Sequence, residues 1–296
     1  MPQLLADRVA QQIAEQISQV SGQPFQMESQ RSIGGGCINR AMAVADQQRT
    51  FFVKVNRAEQ FAMFEAEYDG LKTMHESQTV RVPQPLCCGV ASDVSYIVME
   101  WISLGSGGTD HAWQQMGQQL AAMHQTTSPE GFGWHRNNTI GSTPQQNGWW
   151  SDWSSFWRDH RLGPQFELAH SQRGRFPRRD ELMSAVPRLL EGHTPRASLL
   201  HGDLWSGNAA ISDGGEPVIL DPATYYGDLE ADLAMTELFG RFPAGFYQAY
   251  QSVTPLGEGY ARRKTLYNLY HILNHFNIFG GGYASQANQM IDQILG

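Results

Sequence analysis

One stretch restricts this chain more than any other: Leu199-Leu200-His201-Gly202-Asp203-Leu204-Trp205-Ser206-Gly207-Asn208, followed by Val218-Ile219-Leu220-Asp221. Asn208 lies five residues after Asp203, and Asp221 thirteen after Asn208. An acidic residue beside a glycine alone reads as a turn aspartate bonding its own backbone. An aspartate, an asparagine and a second aspartate at these intervals fit the parts list for phosphoryl transfer, namely one carboxylate to take the proton of an attacking hydroxyl and an oxygen-donor pair for a hard divalent cation. The order matches a loop of the H-R-D-x-x-x-x-N type that precedes a metal-binding aspartate. Asp203 is the candidate base, and Asn208 and Asp221 are the candidate Mg²⁺ ligands. Asp221 ends a strand of little polarity, where a carboxylate is costly unless a cation or donors meet it. His201 is assigned a bracing role through its ring nitrogens.

The rest of the chain bounds the setting. At 296 residues it has room for two lobes, and 41% hydrophobic content supports a large core. The net charge of −8 argues against nucleic acid or an anionic membrane as main partner. No apolar run approaches the ~20 residues of a membrane helix. The start, Met1-Pro2-Gln3-Leu4-Leu5, lacks the basic head and apolar core of a signal peptide. Three cysteines, Cys37, Cys87 and Cys88, show no metal-ligand spacing, so a cytoplasmic protein with reduced thiols is expected.

Periodicity predicts an α+β architecture. Leu4, Leu5, Val9, Ile13, Ile17 and Val20 recur at helical spacing. Strands are expected at 25–33, 38–45 and 50–56, a helix at 59–76, and two more strands ending with Tyr96–Ile102. The glycine-containing segment 103–109 divides a small antiparallel-sheet lobe with one inserted helix, residues 1–102, from a larger helical lobe, residues 103–296. Helices are expected at 111–125, 151–171, 179–191, 229–240, 243–253, 259–279 and 284–295, with a long ordered loop at 131–148. Trp149, Trp150, Trp153 and Trp157 are assigned mainly to the core.

Three features of the first lobe fit a nucleotide. Lys54, within Phe51-Phe52-Val53-Lys54-Val55, is a cation on an apolar strand and needs a partner. Such a lysine contacts phosphates and pairs with a helix glutamate in the phosphotransferase template. The helix offers Glu65 and Glu67, which cannot share a face; Glu67 is favoured because it precedes Leu71 by one helical turn. Gly34, Gly35 and Gly36 lie between two strands, where glycines let amides close on phosphate oxygens. They do not match a Walker-type loop. The backbone at Glu100 and Ile102 is placed to read an adenine edge. Cys37, beside the glycines, is an expected oxidation-sensitive position, with inert packing as the default.

These residues together resemble the fructosamine/ketosamine kinases, relatives of aminoglycoside and choline kinases in the protein-kinase-like superfamily. The resemblance spans nearly the whole chain and includes Ile33–Asn39, Phe52–Lys54, Phe64–Glu67, His201–Asn208, Asp221–Asp228 and Leu273–Tyr283. It implies a bilobal fold and ATP- and Mg²⁺-dependent phosphorylation of the C3 hydroxyl of a ketosamine, free or on a glycated protein. The labile product then regenerates the amine. It also places Trp205 against the substrate. One departure is Leu229, where the family usually shows arginine, which puts a local ion pair in question. Asp228, Glu230 and Asp232 are read as a helix cap, a first-turn charge and a brace beneath the loop, rather than as an amine-attracting cluster. His271, His275 and Asn277 share a late helix and either line the substrate pocket or support it. The alternatives are another small-molecule hydroxyl kinase of sugar, choline or aminoglycoside type, and a nucleotide-binding pseudokinase, against which the intact Lys54, Asp203, Asn208 and Asp221 argue.

Overall fold

The computed structural model describes residues 4–34, 38–105 and 107–296. Gly35, Gly36 and Cys37 therefore lie outside the described residues. Helix α1 (Asp7–Ser21) precedes strands β1 (Ser29–Ile33), β2 (Arg40–Ala45) and β3 (Thr50–Arg57). Helix α2 (Phe61–Glu76), strands β4 (Pro85–Ala91) and β5 (Val94–Glu100) and helix α3 (Asp110–Met123) follow. The five strands form one antiparallel sheet in the order β1-β2-β3-β5-β4.

Strand alternation decides what faces the site. Val53 and Val55 of β3 point into a core under α1 with Val9, Ile13, Ile17 and Val98. Lys54, between them, is turned to the opposite face, where α2 packs. On that face Ile97 and Met99 of β5 join Phe64, Leu71 and Met74 of α2 in the main core. The sheet is thus sandwiched between two helices with one cation directed at the second.

The segment expected as a loop at 131–148 instead forms four short strands, β6 (Phe132–Trp134), β7 (Asn138–Ile140), β8 (Thr143–Gln145) and β9 (Gly148–Trp150). The helix expected at 151–171 is broken: α4 (Trp153–Phe156) passes through a wide turn at Trp157–Leu162 into α5 (Gly163–Ser171). Fully buried Arg161 lies in that turn, its guanidinium 4.5 Å from the Phe156 ring and 4.0 Å from the Tyr225 ring. Trp153 and Trp157 are core residues, whereas Trp149 is exposed.

After α6 (Arg179–Leu189) come β10 (Ser198–Leu200), β11 (Ala209–Ile211), β12 (Pro217–Ile219) and β13 (Tyr225–Gly227). The chain closes with α7 (Leu229–Thr236), α8 (Ala244–Val253), α9 (Tyr260–Phe279) and α10 (Tyr283–Leu295). A second sheet runs β10-β13-β6-β9, and β11 pairs with β12 as a separate hairpin. The turns that carry Asp203 and Asp221 therefore hang from one frame. Asp203 lies on the way out from β10 to β11, and Asp221 on the way back from β12 to β13. The glycine-containing connector is tied down, since the Gly105 amide donates to the Ile211 carbonyl at 2.8 Å and the Asp213 amide to the Ser103 carbonyl at 2.9 Å. Among the described residues no helix is long and apolar enough to cross a membrane.

Candidate active site

The loop after β10 is held by a buried carboxylate. Asp232, on α7, accepts the His201 amide at 2.7 Å and the Gly202 amide at 2.8 Å, with the His124 ring 3.2 Å away. Burial works against its charge, but the His124 hydrogen bond, nearby ring charge and the Gly202 amide hold the carboxyl below its ordinary range. Asp232 is the brace expected from sequence. His201, fully buried, spans the two turns: Nε2 meets the Leu220 carbonyl at 2.8 Å, and Nδ1 accepts the Asp203 amide at 3.2 Å. Those partners call for the neutral tautomer protonated on Nε2, and burial lowers its pKa in agreement.

Gly202 is required by geometry. Its φ is +83°, and an added Cβ would sit 2.1 Å from the Ala223 carbonyl oxygen. The His201 carbonyl accepts the Ala223 amide at 2.8 Å, so the two turns are laced together at this point. Asp221, with φ of +55°, occupies the left-handed region that aspartate tolerates better than most residues. Its side chain opens onto the cleft with 58% exposure.

Asn208 lies between the two aspartates. Its Nδ2 donates to the Asp203 carbonyl at 2.9 Å and to Asp203 Oδ2 at 3.3 Å, and its carbonyl accepts the Leu220 amide at 2.9 Å. Two oxygen acceptors on the nitrogen fix which way the amide faces. Asn208 Oδ1 receives no hydrogen bond among the described residues and is left to serve as an acceptor. An amide oxygen plus a carboxylate is the donor set that a hard divalent cation takes, which fits the implied metal. Burial first, then the charges of Asp221 and Asp232, push the Asp203 carboxyl up to about 7, against the Asn208 hydrogen bond.

Lys54 is buried, with Nζ 2.6 Å from Glu67 Oε1 and 2.6 Å from Asp221 Oδ1. Burial disfavours its charge, but the two carboxylates outweigh that and keep it protonated, while Lys54 in turn holds Asp221 low. Helix phase explains the choice of partner. Glu67 shares a face with Phe64 and Leu71, which pack against the sheet. Glu65 shares its face with Asp69, and both reach Arg136 of the second lobe, at 3.1 Å and 2.8 Å.

Gly34 is exposed at the end of β1. The Glu100 side chain turns away to Arg81 at 2.6 Å and its amide donates to the Gln84 carbonyl at 2.9 Å, leaving only its carbonyl for an adenine. Ile102 is half-buried just past β5. Trp205 is 37% exposed and edge-on to Phe239 at 6.3 Å; Phe239 in turn lies 4.4 Å from the His275 ring. Asn277 is bound to Gln165 at 2.7 Å and supports the fold. Asp228 caps α7 through the Glu230 amide at 3.0 Å. Glu230 does more than the first-turn charge expected of it: Arg263 of α9 holds it at 2.6 and 2.7 Å, so the ion pair that Leu229 put in question is supplied from another helix. Sequence reasoning missed Arg136, Arg263 and His124, whose partners lie far away in the chain.

A strand lysine bound to a helix glutamate, an aspartate beside an asparagine, and a second aspartate on a returning turn belong to a kinase of the protein-kinase-like fold. The chain belongs to the fructosamine kinase family, whose model matches residues 9–296. It is 55% identical over 285 residues to a Synechocystis sp. protein described as a ketoamine kinase, covering 96% of each chain. It is 46% identical over 279 residues to the chloroplastic protein-ribulosamine 3-kinase of Arabidopsis thaliana, covering 93% of this chain and 85% of that one. The structure of a Haemophilus somnus protein described as a fructosamine-3-kinase superposes with a TM-score of 0.90 at 29% identity, covering 96% of this chain and 97% of the other.

Proposed function

We propose that this kinase transfers the γ-phosphoryl group of ATP to the C3 hydroxyl of ketosamines, the sugar–amine adducts named for its relatives. The product's phosphate then leaves easily and the amine is restored, a repair reaction. The observation that carries this reading is the placement of Asp203, with Asn208 and the cleft-facing Asp221 at its side and Trp205 beyond it. Residues 1–102 hold the nucleotide and residues 103–296 the acceptor.

Lys54, paired to Glu67, binds phosphate oxygens. Glu100 and Ile102 face the adenine through main-chain groups. Asn208 Oδ1 and the Asp221 carboxylate would hold Mg²⁺. When bound, that ion neutralises charge on the phosphates. Asp203 accepts the hydroxyl proton as the oxygen attacks phosphorus. Trp205 packs its ring against the sugar-amine.

Turnover in a coupled ADP-release assay with ribulosamine, erythrulosamine and fructosamine, with and without Mg²⁺, tests the reading. Asp203→Asn should lose at least roughly 100-fold in kcat, because an amide cannot accept the proton. Phosphorylation of aminoglycosides or choline, with none of any ketosamine, would overturn the acceptor assignment.

A further inference from the structure

Around Asp203 one polar side chain is unaccounted for. His271, on the buried face of α9, is 4% exposed. Its Nδ1 is buried without a hydrogen-bond partner and lies 4.0 Å from Asp203 Oδ1. Asp203 Oδ2 receives the Asn208 amide at 3.3 Å, whereas Oδ1 receives no hydrogen bond among the described residues. A buried unpaired ring nitrogen opposite an undersatisfied carboxylate oxygen is an uncommon arrangement in folded proteins. Hydrogen bonds of catalytic groups are often long before substrate binds and tighten in the reacting complex. Closing this gap by about 1 Å brings the pair within hydrogen-bond range.

The surroundings favour an orienting contact over a charge pair. Burial, then neighbouring His275, drop the His271 ring to about 3, so it is neutral and has one N–H to give. The imidazole lies edge-on to the Tyr270 ring at 5.2 Å and is held within the buried face of the helix.

We propose that His271 is the positioning residue of the catalytic base, donating from Nδ1 to Asp203 Oδ1 in the reacting complex and fixing the carboxylate against the acceptor hydroxyl. This rests on Asp203 being the base, and the test separates the two ideas. Steady-state kinetics are measured with ATP and ribulosamine for wild type, Asp203→Asn, His271→Ala, His271→Asn and His271→Gln, each assayed well below its melting midpoint. The Asn amide nitrogen can take the place of Nδ1, whereas the Gln amide reaches toward Nε2. His271→Ala should lower kcat roughly 10- to 100-fold with both KM values within about twofold, as misorientation of a reacting group does. His271→Asn should recover most of that loss and His271→Gln should not. Unchanged kcat in His271→Ala, or equal damage in the Asn and Gln variants, would overturn the proposal; a raised ketosamine KM at normal kcat would make His271 a sugar contact instead. If the Ala variant does not fold, the Asn–Gln contrast decides. Full turnover by Asp203→Asn removes the base assignment itself, whereas an inactive Asp203→Asn beside a fully active His271→Ala removes only the positioning role.

Discussion

Asp232→Asn isolates what holds the catalytic loop. One carboxylate oxygen takes the His201 amide and faces the His124 ring, at 2.7 and 3.2 Å, and the other takes the Gly202 amide at 2.8 Å. An asparagine keeps the volume but offers a single acceptor. With its oxygen toward His201 and His124, its NH₂ faces the Gly202 N–H, donor against donor. Hydrogen bonds to a charged acceptor contribute about 1.5–3 kcal/mol against about 1 for neutral pairs, and a buried unpaired N–H costs about 1–3 kcal/mol. Two weakened bonds and one lost sum to about 4 kcal/mol, or about 8 °C in Tm at about 2 °C per kcal/mol for a chain of this length. The sites are buried, so solvent does not discount the figure. Because the folded carboxyl is held below its ordinary value, its contribution is complete above the unfolded pKa of about 4 and fades as pH falls through the folded value. The wild-type–variant gap should therefore stay constant between pH 6 and 8 by scanning fluorimetry or calorimetry. A Tm within about 2 °C of wild type, or a gap that changes across that range, would refute the carboxylate as the loop's anchor.

Three further outcomes are expected. Glu67→Gln should raise the KM for ATP roughly tenfold by weakening the hold on Lys54, whereas half-exposed Glu65→Gln should shift stability by no more than about 1 kcal/mol and leave that KM unchanged, by ADP-release kinetics and melting. Gly202→Ala places a Cβ 2.1 Å from the Ala223 oxygen in a left-handed conformation, and should cost at least roughly 100-fold in kcat, with crystallography showing the two turns pushed apart. Burial pushes Cys87 up to about 12 and Cys88 up to about 11, leaving only about a thousandth of Cys88 as thiolate at pH 8. In a Cys37→Ser background, iodoacetamide should therefore label native protein slowly at pH 8 and unfolded protein fast, and rapid native labelling would contradict that burial.

Legibility followed the range of the interaction. Asp203, Asn208 and Asp221 could be read from spacing because two adjacent turns on one β frame bring them together. Lys54 could be read from strand alternation, and Glu67 over Glu65 from the phase of a single helix. The four strands β6 to β9 could not. Each is three residues long, too short for periodicity to develop; β7 pairs with β8 and β9 with β6, and β6 is joined to the second sheet at Tyr226, some ninety positions away. The break at Trp157–Leu162 was equally silent, since what stabilises it is Arg161 stacking on Tyr225 and donating to the Gln146 carbonyl at 2.7 Å and to Asn147 at 2.8 Å. The same holds for Arg263, which pairs with Glu230 from thirty-three residues away.

Helix α2 then shows how the two lobes act as one site. Its Glu67 face ties Lys54 and, through it, Asp221; its Glu65–Asp69 face is clamped by Arg136. At Gly70 the helix comes so close to the segment after Asp221 that an added Cβ would lie 2.6 Å from Thr224 Oγ1. Protein kinases commonly control activity by moving the helix that carries this glutamate. Here the Lys54–Glu67 pair, the Arg136 clamp and the close approach at Gly70 together hold the equivalent helix in the paired position. An ion pair as exposed as Arg136–Glu65 contributes little alone, but the glycine contact leaves the helix little room to tilt without unpacking Phe64, Leu71 and Met74 from the main core. The Lys54–Glu67 pair is thus fixed by helix packing as well as by charge.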